Sequence, residues 1–516
     1  MSHRLEDDAA SHQHHEHDAD AAALASLGYQ SEFKRDMSLW ANFALGFTYL
    51  SPVVGIYTLF AVGLITGGPA MIWWLVIVGV GQLLVALVFG EIVSQYPVAG
   101  GVYPWARRLW GRKWAWMTGW VYLVALLTTI AGVVYGSGPF LAQLVGFTPG
   151  EASTITCALI LLAVALAINL MGTRWLATAA IIGFSAELLG AIAVGAWLLL
   201  TERHHNLSVL FDTEGVVGHS GGYLSAFLAA ALIGIYQYYG FEACGDVAEE
   251  VPNPARQIPK AMRMTIYVGG AAAIFVCLSL LLAVADYAAV IDGTDADPVT
   301  TVLHNAFGEG GTKVVLVVVM LSFLSCALSL MAAASRLMYS YARDDMIFGS
   351  RLFRTFLPHR HVPPYAMVVA AIVPAVIVLG SVFSTKALTS IISFATLGIY
   401  LGFHMVTAAA LRARLKGWVP SGAFTLGRWG MLVNVAALAY GVLAMVNMAW
   451  PRTPDLPWYD NWLVALSAAI GAAVGLAYML LVRPYERSNA PAGDAIPRRP
   501  GPPGPAETAA PTRSRG

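Results

Sequence analysis

Charge is scarce in this sequence. Of 516 residues only 12% are charged and 58% are hydrophobic, where an ordinary soluble domain carries about 25% charge. Thirty basic side chains offset thirty acidic ones, so no net field gathers nucleic acid. Cysteine is scarce too: Cys157, Cys244, Cys277 and Cys326 all lie within apolar runs, too scattered for a zinc site or a disulfide framework. None of the six lysines stands in a Gly-x-x-x-x-Gly-Lys-[Ser/Thr] context, and no His-Glu-x-x-His helix occurs, which removes nucleotide-driven pumping and zinc hydrolysis. With no catalytic constellation in view, an enzyme is not expected, and neither a cofactor nor a metal is called for. The first 36 residues hold no apolar signal core, so insertion is expected to start from internal spans.

What the sequence has in abundance is long apolar runs. A hydrocarbon core about 30 Å thick takes roughly 20 residues of helix, and no charge occurs between Asp36 and Glu91. That stretch holds two spans, turned at the Gly-Gly-Pro of 67–69. Further spans are predicted near 114–145, 152–172, 175–200, 222–246, 264–285, 314–342, 364–384, 387–411, 429–450 and 461–482. The expected architecture is thus an all-α integral membrane protein of twelve transmembrane helices. Arg107, Arg108, Arg112, Lys113, Arg174, Arg256, Lys260, Arg263, Arg343, Arg351, Arg354, Arg360, Arg412, Arg414, Lys416 and Arg428 fall on one side. The other loops carry Arg203, Lys313, Lys386 and Arg452 beside Asp286, Asp292, Asp295 and Asp297. The positive-inside rule then places both termini in the cytoplasm, in the cell's inner (plasma) membrane. Residues 1–36 and 483–516, rich in His, Asp and Ala or in Pro, Arg and Gly, read as disordered tails. The cluster His12, His14, His15 and His17 reads as a solvated tail ahead of a metal site, because nothing pre-organises its rings.

Two spans are broken, and backbone inside a bilayer tolerates a break only where it lines a protein cavity. Span 1 carries Ser51-Pro52-Val53-Val54-Gly55 near its middle, and span 6 carries Tyr239-Gly240-Phe241-Glu242. The five-span offset between them reverses orientation, as an inverted repeat requires, and discontinuous helices in such repeats expose half-helix ends at the membrane midplane. Positive helix ends suit a substrate carboxylate and free carbonyls suit an ammonium, so a zwitterion or a related amine is the expected cargo. Glu187 lies alone in span 5. A carboxylate at that depth costs roughly 2.5–3.5 kcal/mol on insertion scales and marks a pathway or a proton relay. Glu242 sits on the second break. Glu91, close in sequence to Arg107 and Arg108, is expected to form a structural ion pair, and Arg336 to snorkel from the end of span 8.

Three motifs carry a family resemblance. Glu91-Ile-Val-Ser-Gln-Tyr-Pro97 with Ala99-Gly100-Gly101-Val-Tyr103-Pro-Trp105 is the first. The second runs from Gly240-Phe241-Glu242-Ala243 into Ala248-Glu249-Glu250-Val-Pro252-Asn253-Pro254-Ala-Arg256-Gln-Ile-Pro259-Lys260, and the third is Ser335-Arg336-Leu-Met-Tyr339-Ser-Tyr-Ala342-Arg343-Asp344-Asp345. They resemble the amino acid–polyamine–organocation permeases over residues 37–482. With Gly172-Thr-Arg174 they look closest to the branch holding γ-aminobutyrate and choline permeases. The resemblance implies a leucine-transporter-like fold, with repeats over about 37–201 and 221–411 and peripheral helices over 428–482. It also implies a substrate site on Ser51, Val53, Val54, Gly55, Tyr236, Tyr238, Tyr239, Gly240 and Phe241. In that reading the amides of 53–55 take a carboxylate, the carbonyls of Tyr238, Tyr239 and Gly240 take an amine, and Tyr236 gates. Glu187 and Glu242 would couple transport to protons. Ser325 and Ser329 are the sodium alternative, although such hydroxyls more often pack helices. Val53-Val54-Gly55 departs from the family's Gly-Ser-Gly, and Glu187 stands where relatives place a lysine or histidine.

The reading that results is a secondary transporter importing an amino acid or related amine such as γ-aminobutyrate by proton symport with alternating access. An organocation permease is the alternative, its cation held in an aromatic cage of Tyr57, Tyr236, Tyr238, Tyr239 and Phe241. An exchanger and a transporter-like nutrient sensor remain as further readings. The partners implied are the bilayer, a small-molecule substrate and a coupling H+ or Na+, with no nucleic acid.

Overall fold

Each long apolar run folds as a helix, because in hydrocarbon a helix satisfies its backbone within the segment. The computed structural model describes residues 18–30, 32–148, 150–216, 222–357, 359–383, 386–452 and 456–497. Among the described residues, eleven helices are long and apolar enough to cross a membrane. They are span 1 (Leu39–Gly67), span 2 (Pro69–Gln95), span 3 (Arg112–Val145), span 4 (Glu151–Leu170), span 5 (Thr173–Thr201) and span 7 (Pro254–Ala283). Span 8 (Pro298–Arg343), span 9 (Pro364–Phe383), span 10 (Ala387–Leu415), span 11 (Gly427–Ala449) and span 12 (Leu463–Val482) complete the eleven. Tyr223–Gln237 is a shorter apolar helix and forms the first half of span 6. The expected twelve crossings are therefore present, one of them in two pieces. Span 7 starts earlier than expected, because Pro254, pre-set for a first helical turn, opens a helix that runs on through Arg256, Lys260 and Arg263. Span 8 includes an outer segment that turns at Gly308, where φ is 63°.

The bundle is centred on span 3, which packs along spans 8 and 10. In its most apolar stretch 83% of residues are buried, against 11% for span 12, so span 12 lies at the periphery. Leu189, Leu200, Val376, Leu443 and Leu481 point outward, as a lipid-facing surface requires. Small residues let helices approach closely: a side chain on Gly183 of span 5 would collide with Ser325 of span 8.

Span 1 breaks at Ser51, whose φ of 38° lies in the left-handed region. The following proline disfavours the α conformation at this position, so Leu39–Leu50 (helix 1a) ends and Pro52 opens helix 1b, Pro52–Gly67. Span 6 ends its first half at Gln237, and Gly240 takes φ +118°. The chain then turns through Ala243–Asp246 and Ala248–Glu250 toward span 7.

The face bearing the Arg-rich loops and the two tails departs from the sequence expectation in three ways. Residues 18–30 and 32–36 are held against the bundle by a few buried anchors, Leu24, Tyr29 and Phe33, in place of the expected disordered tail. A helical turn over 18–26 leads to Tyr29, whose hydroxyl donates to Asp344 at 3.0 Å, and Phe33 stacks edge-on against Tyr339. Residues 483–497 also pack, with Gly493 donating its amide to the Arg107 carbonyl and Asp494 pairing with Arg108. Composition concealed this because a few anchoring side chains fix otherwise polar segments. The cluster His12, His14, His15 and His17 lies outside the described residues. Glu91 pairs with Arg414 at the end of span 10, and not with Arg107 or Arg108, because Arg107 is taken by Asp344. Arg336 does not snorkel: it is fully buried and paired with Glu250 at 2.8 Å, while Arg343 pairs with Glu249 at 2.9 Å. These pairs tie the end of span 8 to the loop after span 6.

Candidate functional site

Between the two breaks lies a narrow cavity of about 10 Å³, room for about one water molecule. Tyr49, Leu50, Val54 and Gly55 of span 1 line it, with Thr129 of span 3, Tyr236 and Tyr239 of span 6, and Cys326 of span 8. Tyr239 meets Tyr236 and Tyr49 edge-on, with ring centroids at 5.5 and 6.1 Å. The buried hydroxyl of Tyr236 has no hydrogen-bond partner among the described residues.

A helix end buried without partners is costly, and here the chain caps its own broken ends. Glu187 reaches from span 5 to the start of helix 1b, where one carboxylate oxygen accepts the Ser51 hydroxyl at 2.6 Å and the Val53 amide at 3.0 Å. Its other oxygen has no hydrogen-bond partner among the described residues. The Ser51 oxygen accepts the Val54 amide at 3.2 Å, and the Gly55 amide donates to the Ser51 carbonyl at 3.0 Å. At the end of helix 1a, the Leu50 carbonyl accepts from Gln237 at 3.1 Å and the Tyr49 carbonyl accepts the Cys326 thiol at 3.3 Å. At the second break, Glu242 accepts the Gly240 amide at 2.7 Å and the Tyr122 hydroxyl at 3.0 Å. The amides of 53–55, expected to lie open for a carboxylate, are thus engaged internally.

The sequence-predicted residues divide accordingly. Val54, Gly55, Tyr236 and Tyr239 line the cavity. Ser51, Val53 and Glu187 form the cap behind it, and Gly240 and Glu242 form the cap on the other break. Tyr238 turns away, its ring wedged against Gly79 of span 2 and Gly270 of span 7. Phe241 packs on Phe89 and Phe403, and Tyr57 faces Phe140, so the five-membered aromatic cage does not assemble. Ser329 shares a hydrogen bond with Thr48 at 2.9 Å, and Ser325 donates to the Ser322 carbonyl. Both hydroxyls are spent on helix packing and backbone. Sequence reasoning missed Tyr49, Gln237, Tyr122 and Cys326. Only Gln237, a lone amide just ahead of Tyr-Tyr-Gly, carries a local signal.

With two broken helices flanking a small cavity, comparison with known proteins becomes informative. The sequence model described as amino acid permease matches residues 37–474. The chain belongs to the amino acid permease family. Across 474 aligned residues this permease is 28% identical to the amino-acid permease BAT1 homolog of Oryza sativa subsp. japonica, over 85% of this chain and 90% of that protein. It is 24% identical to a choline transporter of Saccharomyces cerevisiae, over 85% of this chain and 80% of that one. Among solved structures, the manganese transporter of Eremococcus coleocola superposes with a TM-score of 0.57 at 14% identity, covering 87% of the permease and 94% of that chain. That likeness carries the fold, which is leucine-transporter-like. It carries no cargo for this chain. The permease is accordingly a membrane transporter of amino acids or organocations, and not an enzyme.

Proposed function

We propose that the permease imports an amino acid or related amine, γ-aminobutyrate included, by proton symport. The observation that carries this reading is Glu187: fully buried, half-coordinated by the start of helix 1b, and in no ion pair among the described residues. A carboxyl placed so gains or loses a proton in preference to binding a fixed cation. Its state reaches the cavity through one atom, because the Ser51 hydroxyl donates to Glu187 while its oxygen accepts the amide of cavity-lining Val54. Spans 1, 2, 6 and 7 rock against the rest in this reading, opening the Arg-rich face once Arg336–Glu250 and Arg343–Glu249 part. That face is assigned to the cytoplasm, and the membrane to the cell's inner membrane, from the Lys and Arg bias.

A second reading, an organocation such as choline, is favoured by the internal capping of the 53–55 amides and by the three tyrosine rings beside the cavity. Proteoliposomes loaded at a higher internal pH, with and without sodium, separate the two. Labelled amino acids that accumulate and collapse with the pH gradient support symport. Choline uptake without amino-acid uptake replaces the substrate class, and sodium dependence replaces the coupling ion.

A further inference from the structure

We infer that Asp246 is a second proton carrier, receiving the proton from Glu242 and passing it toward the Arg-rich face; this rests on the proton-symport reading above. Asp246 follows Glu242 by one helical turn, its amide donating to the Glu242 carbonyl at 3.1 Å, and residues four apart share a helix face. It is fully buried, and among the described residues both of its carboxylate oxygens lack a hydrogen-bond partner. The arginines at the end of span 8 and in the loop after span 2 are paired elsewhere: Arg336 with Glu250, Arg343 with Glu249 and Arg107 with Asp344. A buried carboxyl without a cation or a donor is costly, and a proton is the partner left to it.

The surroundings give a direction. Glu242, Tyr49 and Tyr122 are the titratable groups within electrostatic reach of Asp246, from its own turn, helix 1a and span 3. The loop after span 2 brings Gly101 against its carboxylate, and Trp105 and Met262 pack beside the neighbouring Gly245. Tyr49 also lines the cavity and faces both Glu242 and Asp246, which joins the pair to the cavity. On its far side, Asp246 accepts the Gly100 amide on its carbonyl at 3.0 Å, and its carboxylate faces Gly101, where a side chain would collide with it. This turn belongs to the loop that carries Arg107 and Arg108 on the tail face. In the transfer the O–H bond of Glu242 breaks as one forms on Asp246; the same proton then leaves to solvent on the tail side.

The test uses the full chain in proteoliposomes as wild type, D246N and D246E, with a tritiated mixture of amino acids, γ-aminobutyrate and choline. D246N is expected to keep counterflow exchange while losing accumulation under a pH gradient of one unit, about a tenfold effect for one proton. An internal pH dye should report loss of substrate-linked proton entry, and D246E should restore both. A D246N protein that still accumulates overturns the proposal. Loss of exchange and accumulation in equal proportion also overturns it, making Asp246 structural. A wild-type protein indifferent to the pH gradient overturns the symport reading and this inference with it, whereas a coupled D246N in the presence of a coupled wild type refutes this inference alone.

Discussion

Replacing Glu187 by glutamine separates the two jobs this side chain has. The carboxylate oxygen that accepts from Ser51 and Val53 has its counterpart in the amide oxygen of glutamine, so the cap on helix 1b should survive. The swap exchanges hydrogen bonds of similar geometry, at a stability cost of about 1 kcal/mol. The oxygen that has no partner becomes an amide nitrogen that cannot take up and release a proton. One proton carried with each substrate across one pH unit is worth about 1.4 kcal/mol, or tenfold accumulation. E187Q should therefore bring the accumulation ratio in proteoliposomes close to unity and leave counterflow exchange near wild type. Raising the external pH should slow wild-type uptake, because fewer protons drive entry, and should leave E187Q unmoved. By contrast, E187A leaves the Ser51 hydroxyl and the Val53 amide without an acceptor, at about 1–3 kcal/mol each, and should lower Tm. An E187Q protein that still accumulates substrate, or one that loses exchange as fully as accumulation, would refute the coupling role.

Three further outcomes follow from the same geometry. Ser51→Ala removes the hydroxyl that joins Glu187 to the Val54 amide; it should cost about 0.5–2 kcal/mol as a lost N-cap and flatten the pH dependence of uptake, and an unchanged pH profile would exclude this relay. Arg336→Ala strips the buried partner from Glu250, a loss of about 3–5 kcal/mol. It should loosen the tail face, read as faster thiol labelling of a cysteine placed at Ser335, and unchanged labelling would show that the pair does not hold that face shut. Gly55→Ala sets a methyl group against Gln237 and forces that side chain off the Leu50 carbonyl. KM should rise with little change in kcat, and an unaltered KM would remove Gln237 from the site.

Features set by neighbours in the chain were legible in the sequence. A span needs only a run of apolar residues, which is why all twelve crossings could be placed, with span 6 recognisable although its first half, Tyr223–Gln237, is too short to cross alone. The two breaks were legible because Pro52 and Gly240 act on the backbone beside them. Partners were another matter. Glu91 lies within about twenty residues of two arginines, yet its cation is Arg414, brought to it by the packing of span 10 near span 2. The tails resembled solvated chain in composition, while Tyr29, Phe33 and Asp494 anchor them to side chains hundreds of residues away.

The candidate site divides along the same line. The sequence by itself determined that this chain lives in a bilayer, that helices 1 and 6 are interrupted, that Glu187 lies at depth in span 5 and that Glu242 sits on the second interruption, because hydropathy and backbone propensity are local properties. Only the tertiary structure decided that Glu187 and Ser51 already cap helix 1b, that Tyr238 and Phe241 face away while Tyr49 faces in, and that Asp246 is left without a partner. Hydrogen bonds and ring contacts span a few ångströms between segments far apart in the chain, and which groups come that close is fixed by how the helices pack.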